Sequence, residues 1–224
     1  MSKILISGCG ITWSRQERPN WARVLKICGV DIDDRAGPAI SNQTILNSMI
    51  ESVLENDYDQ AICQLTSDRK LDIELTSDAR REAMSTDGIR NFTHGDIWPS
   101  SESTDHACKR MYYDYIYSPG LEQSDIIYKW MLLDRLCQER DVKLHTVLGY
   151  RIPWQNKHYT MIRTDHDYNI WDDYVEGPYW QHHDHSVGKK NTVPNKFFQI
   201  HLAKKFNTQF LKLDIEHKLE KFDA

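Results

Sequence analysis

The sequence predicts an α/β protein with a mainly parallel sheet, and two observations support this prediction. Short apolar runs that suit buried strands alternate with stretches whose apolar residues recur at helical spacing. The order strand, helix, strand, helix, strand occupies residues 3–65 and is typical of a doubly wound parallel sheet. The 224 residues suffice to bury one substantial core, so we expect a single domain over 1–224.

Each predicted element has a local signal. The first strand is an apolar run that ends at a glycine-containing turn, and Pro19 suits the first turn of the helix that follows. Gly29 is placed to cap that helix at its C-terminus, and Ser41 with Asn42 opens the next one. Strands are predicted over 3–7, 30–34, 60–65 and 142–148, and helices over 19–28, 41–54, 105–117, 119–140 and from about 194 onwards.

Two segments interrupt this alternation. Residues 66–105 are polar and rich in Ser, Thr and Asp, and we interpret them as an irregular insertion. Residues 150–194 are rich in aromatic and histidine side chains and follow no regular period. Most of the seven Trp and eleven Tyr residues lie after residue 90, so we expect the aromatic surface there to carry specificity.

The composition excludes several classes of protein. With 40% hydrophobic and 27% charged residues, the chain resembles a globular protein rather than a disordered or fibrous one. The net charge of -5 gives no electrostatic basis for binding nucleic acid or an anionic membrane, and no apolar run is long enough to span a bilayer. The opening residues become polar too soon for a signal peptide, so we expect a cytoplasmic protein.

The five cysteines form no recognisable metal-binding or disulfide pattern. Their number is odd, and no two are spaced as Cys-x-x-Cys. Cys28, Cys63 and Cys137 lie within apolar patterns and are expected to fill the core. Cys9 differs from them because it lies in the turn that follows the first strand.

That turn is the first place to look for a ligand, because parallel α/β sheets bind ligands at the carboxyl ends of their strands. Its sequence is Gly8-Cys9-Gly10-Ile11-Thr12-Trp13-Ser14-Arg15. Three further segments stand at comparable places along the chain. They are Ala39-Ile40-Ser41-Asn42-Gln43-Thr44-Ile45, Gln64-Leu65-Thr66-Ser67 and the segment from Pro194 to Ala203.

In order and spacing, these four segments resemble the signature blocks of SGNH/GDSL-type hydrolases, in particular those of phages and marine bacteria. The resemblance covers most of the chain and implies a flavodoxin-like three-layer α/β/α sandwich. It also implies a ligand pocket, and the cytoplasm of the host cell as its setting if the chain is viral. We expect ligand contacts at Gly8, Gly10, Arg15, Ser41, Asn42, Thr66 and Ser67.

Departures from the family pattern bear on activity. Gly10 takes the position of the family's nucleophilic serine, and Val193 takes that of its catalytic histidine. Lys190 replaces the aspartate three residues earlier, and Thr66 replaces an asparagine that donates to the oxyanion. Without the serine and histidine, the family's mechanism lacks its nucleophile and its base. We therefore expect a binding or structural module, or an enzyme with a diverged reaction.

One alternative is an ester or carbohydrate O-acetyl hydrolase that has recruited other side chains. Cys9, Thr12 and Ser14 offer a thiol or a hydroxyl in the first turn. His185 and His201 offer an imidazole near the expected position of the base. A thiol between a strand end and a helix N-terminus can act as a nucleophile, because its pKa is lowered there. The competing interpretation is that Cys9 packs into the sheet.

A second alternative is a phosphatase-like enzyme. Cys9 and Arg15 have the Cys-x5-Arg spacing of tyrosine phosphatases, in which the arginine helps to cradle phosphate while the thiolate attacks. Gln16 stands where those enzymes have Ser or Thr, and the chain contains no Asp-Pro dipeptide to supply a general acid. This spacing alone is common by chance.

The aromatic segment bears on metals and partners. Trp180-Gln181-His182-His183-Asp184-His185 contains a His-x-His pair, but a metal site needs three or four converging ligands. We therefore expect a polar loop there, with no metal and no cofactor. Aromatic rings beside carboxylates, as in 111–117 and 171–180, suit a carbohydrate or another small flat ligand, and suit a protein partner equally well. Without a basic stripe, they do not indicate nucleic acid.

Overall fold

Parallel strands form the centre of the structure, a computed structural model that describes residues 3–8, 20–37, 40–66, 118–149, 168–169 and 196–222. The strands within these ranges are β1 Lys3–Ser7, β2 Asp31–Asp34, β3 Gln60–Leu65, β4 Lys143–Leu148 and β5 Tyr168–Asn169. They make one sheet in the order β2-β1-β3-β4-β5, and every neighbouring pair is parallel. This is the strand order of flavodoxin-like folds.

Helices cover both faces of the sheet. They are α1 Trp21–Ile27, α2 Asn42–Glu55, α3 Pro119–Glu139, α4 Lys196–Phe206, a π-helical turn Asn207–Leu211, α5 Glu216–Leu219 and a 3-10 turn Glu220–Phe222. Helices α1 and α4 pack together on one face, and α2 and α3 pack together on the other. The three-layer α/β arrangement that the sequence predicts is therefore confirmed.

The face beneath α1 and α4 is built from alternate residues of the central strands. Ile4 of β1 and Ile62 of β3 are fully buried there, because side chains of a strand point alternately to its two faces. Trp21 of α1 meets Phe206 of α4 edge to face, with ring centres 4.5 Å apart. This aromatic contact joins the two helices above the sheet.

The intervening residues of the same strands form the second core layer. Leu5 of β1 and Cys63 of β3 are fully buried beneath α2 and α3. Trp130 of α3 donates through its indole Nε1 to Thr146 Oγ1 of β4 at 2.8 Å. The layer thus buries a polar pair whose hydrogen bond is satisfied.

Side-chain hydrogen bonds hold the C-terminal elements in place. The amide of Asn207 accepts from Leu213 N and donates to Leu213 O, both at 3.1 Å, just beyond the π-helical turn. Lys218 Nζ donates to Cys28 O at 2.8 Å, at the end of α1. Gly29 follows there with a φ of 92°, a backbone conformation that favours glycine and suits a helix C-terminus.

The predicted elements agree with the structure over most of the described ranges. Strands β1 and β3 have the predicted bounds, and the burial predicted for Cys28, Cys63 and Cys137 is confirmed. The sequence predicts irregular structure over 150–194, yet β5 lies inside this segment. Two residues paired with the end of β4 are too short for a period to reveal.

Part of the prediction falls outside the described residues. This holds for the insertion over 66–105 apart from Thr66, and for the helix expected over 105–117. The extent of the domain over 1–224 also stays a prediction. Among the helices in the described ranges, none is both long and apolar enough to cross a membrane.

Candidate functional site

The candidate site lies between the carboxyl ends of β1 and β3. The next described helix after β1 is α1, on one face of the sheet, and the next described helix after β3 is α3, on the opposite face. Where consecutive connections diverge in this way, they leave a crevice in which parallel α/β proteins bind ligands. Gly8 follows β1 and Thr66 follows β3, so two predicted ligand contacts border this switch point.

Asn42 ties the start of α2 to the end of β3. Its Oδ1 accepts from Thr66 N at 2.7 Å, and its Nδ2 donates to Thr66 O at 3.0 Å. Both residues are buried, so these bonds satisfy backbone groups that have left the strand ladder. The preceding residue, Ser41, caps α2 by accepting from Thr44 N at 3.3 Å. Asn42 and Ser41 thereby position Thr66 and the helix start.

The hydroxyl of Thr66 is the unusual group at this edge. Thr66 is 0% exposed, and its Oγ1 has no hydrogen-bond partner in the part of the chain that the structure describes. A buried hydroxyl left without a partner costs roughly 1–3 kcal/mol, and such groups are rare. Packing alone does not account for the hydroxyl, because valine would fill the same volume. It is therefore a candidate ligand contact.

The loop after β2 is fixed against the end of β1. Arg35 N donates to Ile6 O at 2.8 Å, and Gly37 N donates to Gly8 O at 3.0 Å. The Ser7 hydroxyl lies 3.5 Å from Arg35 O and adds a weaker contact. The carbonyl of Gly8 is therefore used to hold the loop that precedes α2.

The end of β4 completes this edge of the sheet. Gly149 N donates to Leu65 O at 2.8 Å and extends the pairing of β3 and β4 by one residue. A Cβ at Gly149 would overlap the side-chain amide of Gln64, which is fully buried. Gly149 is therefore required for this amide to fit. Our sequence reasoning missed the pair, although a glutamine inside a buried apolar strand was a usable signal.

Asn20, at the start of α1, is a second residue that the sequence reasoning missed. Its Oδ1 caps the helix by accepting from Arg23 N at 2.7 Å. Asn20 is 2% exposed, and its Nδ2 finds no hydrogen-bond partner among the described residues. The available signal was an asparagine directly before the first residue of the apolar pattern. Because the helix was predicted to begin at Pro19, Asn20 was not identified as its N-cap.

A charged and aromatic cluster surrounds Asp33 on the edge strand β2. Tyr58 donates through its hydroxyl to Asp33 Oδ2 at 2.6 Å, and Arg35 Nε lies 2.8 Å from Asp33 Oδ1. Desolvation and the hydrogen bond to Asp33 raise the pKa of Tyr58 to about 12. Desolvation favours the protonated carboxyl, but the bonds from Tyr58 and Arg35 outweigh it and lower the pKa of Asp33. Arg35 is thus engaged with Asp33 rather than directed at the crevice.

The structure brings together the predicted site residues that it describes at this edge. These are Gly8, Ser41, Asn42 and Thr66, and their expected ligand contacts stay predictions. His201 lies in α4, half-buried, with its ring stacked on Phe198 at a centroid distance of 6.3 Å. The remaining predicted residues, Cys9, Gly10, Thr12, Ser14, Arg15, Ser67 and His185, lie outside the described residues.

The described thiols are poor nucleophiles. Burial raises the pKa of Cys28, Cys63 and Cys137, so each is held as the unreactive thiol. Within the described ranges, no group of three or more His, Cys, Asp or Glu side chains is placed to hold a metal ion.

Comparison with known proteins assigns no family to the chain. The sequence matches no protein-family model, and no curated protein matches it. The resemblance to SGNH/GDSL-type hydrolases therefore rests on the four sequence segments and stays a prediction.

Proposed function

We propose that this chain is an SGNH-hydrolase-like binding protein that holds a small polar ligand between the carboxyl ends of β1 and β3. In this proposal it does not carry out the serine–histidine reaction of that family. The observation that carries the proposal is the Thr66 hydroxyl, which is buried and finds no hydrogen-bond partner in the described part of the chain. The proposed setting is the cytoplasm, that of the host cell if the chain is viral.

The way in which Thr66 is held supports this role. Two hydrogen bonds with the Asn42 side chain, one accepted and one donated by Asn42, fix the backbone of Thr66 before any ligand arrives. The unliganded protein already bears the cost of the unpaired hydroxyl, and a ligand that bonds to it relieves that cost. Because Thr66 is fully covered in this structure, the proposal requires the covering groups to move aside when the ligand enters.

The sequence supports binding rather than the family's hydrolytic reaction. Gly10 and Val193 stand where the nucleophile and the base are needed, and Thr66 replaces the oxyanion donor. The described thiols offer no substitute, because burial keeps them protonated. We expect p-nitrophenyl acetate to be hydrolysed no faster by the protein than by its Cys9→Ala variant.

The test is an NMR titration of the full chain with glucose, glucuronate and glucose 6-phosphate at millimolar concentration. At least one of these should shift the amide signals of Thr66 and Asn42. Thr66→Val should weaken its binding about tenfold, or ~1.4 kcal/mol, because one hydrogen bond is lost. The matched control is Thr146→Val, which removes a hydroxyl that bonds to Trp130 in the α3 layer and should leave the dissociation constant unchanged.

Two results would overturn the proposal. One is that none of the three sugars shifts the Thr66 and Asn42 signals. The other is that Thr66→Val binds as tightly as the natural chain. Hydrolysis of p-nitrophenyl acetate that disappears in Cys9→Ala would instead support the alternative in which the thiol of the first turn serves as a nucleophile.

A further inference from the structure

We infer that Asn20 supplies a second ligand contact, and that the ligand presents a carboxylate or phosphate group to Asn20 and Thr66. This inference rests on the proposed function and adds the chemical class of the ligand to it. Its observations are separate from those at Thr66, because they concern the start of α1.

Asn20 caps α1, and this capping fixes the orientation of its side-chain amide. An N-cap residue accepts a hydrogen bond through its side-chain oxygen, and Asn20 Oδ1 does so from Arg23 N at 2.7 Å. The remaining atom, Nδ2, is therefore identified as the nitrogen. It is buried, and no described residue accepts a hydrogen bond from it.

Two backbone groups at the start of α1 have partners, although the indole Nε1 of Trp21 is, like Asn20 Nδ2, buried without a partner among the described residues. Trp21 N donates to Gln199 Oε1 of α4 at 2.9 Å, and Val24 N donates to Asn20 O at 3.0 Å. Capping does not explain the amide nitrogen, because serine or aspartate would cap the helix without burying an unpaired donor. The unpaired nitrogen therefore destabilises the unliganded protein, and a hydrogen bond to a ligand would offset this cost.

Asn20 and Thr66 both lie at the carboxyl edge of the sheet. Helix α1 begins at the carboxyl edge, since it follows the loop after β1, and its first residue Trp21 shares a core cluster with Ile62 of β3. Thr66 follows the last residue of β3 at the same edge. The inference places the ligand at this edge, between Asn20 and Thr66.

The class of ligand follows from these two groups. An amide nitrogen can only donate, and the threonine hydroxyl can donate as well, so the ligand must present acceptor oxygens. Charged oxygens accept the strongest hydrogen bonds. Helix α2 begins beside Thr66, and its first turn contains no acidic residue, so the positive end of its dipole adds to the attraction for an anion. Carboxylate and phosphate share this chemistry.

Asn20→Asp is the deciding variant, because it keeps an oxygen to cap α1 and replaces the donor with a charged acceptor. In the natural chain, glucuronate or glucose 6-phosphate should bind and shift the Asn20 side-chain amide signal, and glucose should not. The acid that binds more tightly shows whether the site favours a carboxylate or a phosphate group. Asn20→Asp should weaken that binding at least about tenfold when it is measured under conditions in which the variant is folded, and Asn20→Ser should weaken it less.

The outcomes separate this inference from the function on which it rests. If Thr66→Val loses binding and Asn20→Asp binds both acids normally, the role of Asn20 is wrong and the proposed function stands. If glucose binds as tightly as its acidic derivatives, the anionic class is wrong. If Thr66→Val binds as the natural chain does, the proposed function itself fails.

Discussion

Thr66 and Thr146 have the same side chain in opposite circumstances, which makes them a natural pair for measuring stability. Thr146 accepts a hydrogen bond from Trp130, so Thr146→Val should lower the free energy of unfolding by about 1–2 kcal/mol. Thr66→Val removes an unpaired buried hydroxyl and should leave that free energy unchanged or raise it. Urea denaturation of both variants decides the matter. Equal losses would show that the Thr66 hydroxyl is already bonded in the unliganded protein.

Tyr58 is expected to make stability depend on alkaline pH. Its pKa is raised to about 12 in the folded protein, from an ordinary value of 10.0. The folded state therefore holds this proton more tightly, and the resulting stabilisation is complete below the unfolded pKa and is lost as the pH rises through the folded pKa. Tyr58→Phe should be less stable by ~1 kcal/mol at neutral pH, because the hydrogen bond to Asp33 is lost.

Urea denaturation of both proteins over a pH series tests this expectation. The natural chain should have a higher free energy of unfolding than Tyr58→Phe, and this difference should shrink as the pH rises from the ordinary pKa of Tyr58 to its pKa in the folded protein. Comparing the two proteins at each pH cancels the contribution of the other ten tyrosines, since the chain has eleven. A difference that stays constant across that range would contradict the assignment of the raised pKa to Tyr58.

Asn42 and Asn207 make the same kind of clamp at different places in the fold. Each asparagine amide both accepts from and donates to the backbone of one residue, Thr66 in the first case and Leu213 in the second. Replacing either with alanine should cost about 2–4 kcal/mol, because two backbone groups lose their partners. Only Asn42→Ala should also abolish ligand binding, since only Asn42 positions Thr66.

The two alanine variants are compared by urea denaturation and by the sugar titration under conditions in which both remain folded. Asn207→Ala serves as the control for general destabilisation. If Asn207→Ala loses binding to the same extent as Asn42→Ala, the loss reflects instability, and the positioning role of Asn42 is wrong.

Helices and strands could be predicted because one local property, the period of apolar residues, determines them. Ile4 to Ile6 and Ala61 to Leu65 identify the two central strands without knowledge of any partner. The edge that carries the candidate site follows from the order of these elements alone. Strand β5 gave no such signal, because only its pairing with β4 marks two residues as a strand.

The atoms of the candidate site could not be predicted in the same way. The ligand contact expected at Asn42 stays a prediction, but no local signal indicated that its amide bonds to the backbone of Thr66, which lies 24 residues away. Whether a polar atom such as Asn20 Nδ2 is left without a partner depends on every group that folds around it. Sequence patterns record which residues are polar, and tertiary structure decides which of them are already paired.

The two core layers share the same strands, so we expect them to unfold as one unit. Leu5 and Ile6 are neighbours in β1, yet Leu5 packs beneath α2 and Ile6 packs beneath α1. Cys28 belongs to the layer of α1, and Cys63 to the layer of α2. Because both thiols are buried with raised pKa values, iodoacetamide should label them only after unfolding.

Ile6→Val tests this coupling directly. The substitution should destabilise the α1 layer by about 1 kcal/mol. If unfolding is cooperative, labelling of Cys63 on the opposite face should accelerate as much as that of Cys28, by roughly fivefold. Mass spectrometry of the labelled peptides measures the two rates separately within one sample. Acceleration confined to Cys28 would show that the layers open independently, since the sheet would then keep Cys63 protected while α1 separates from it.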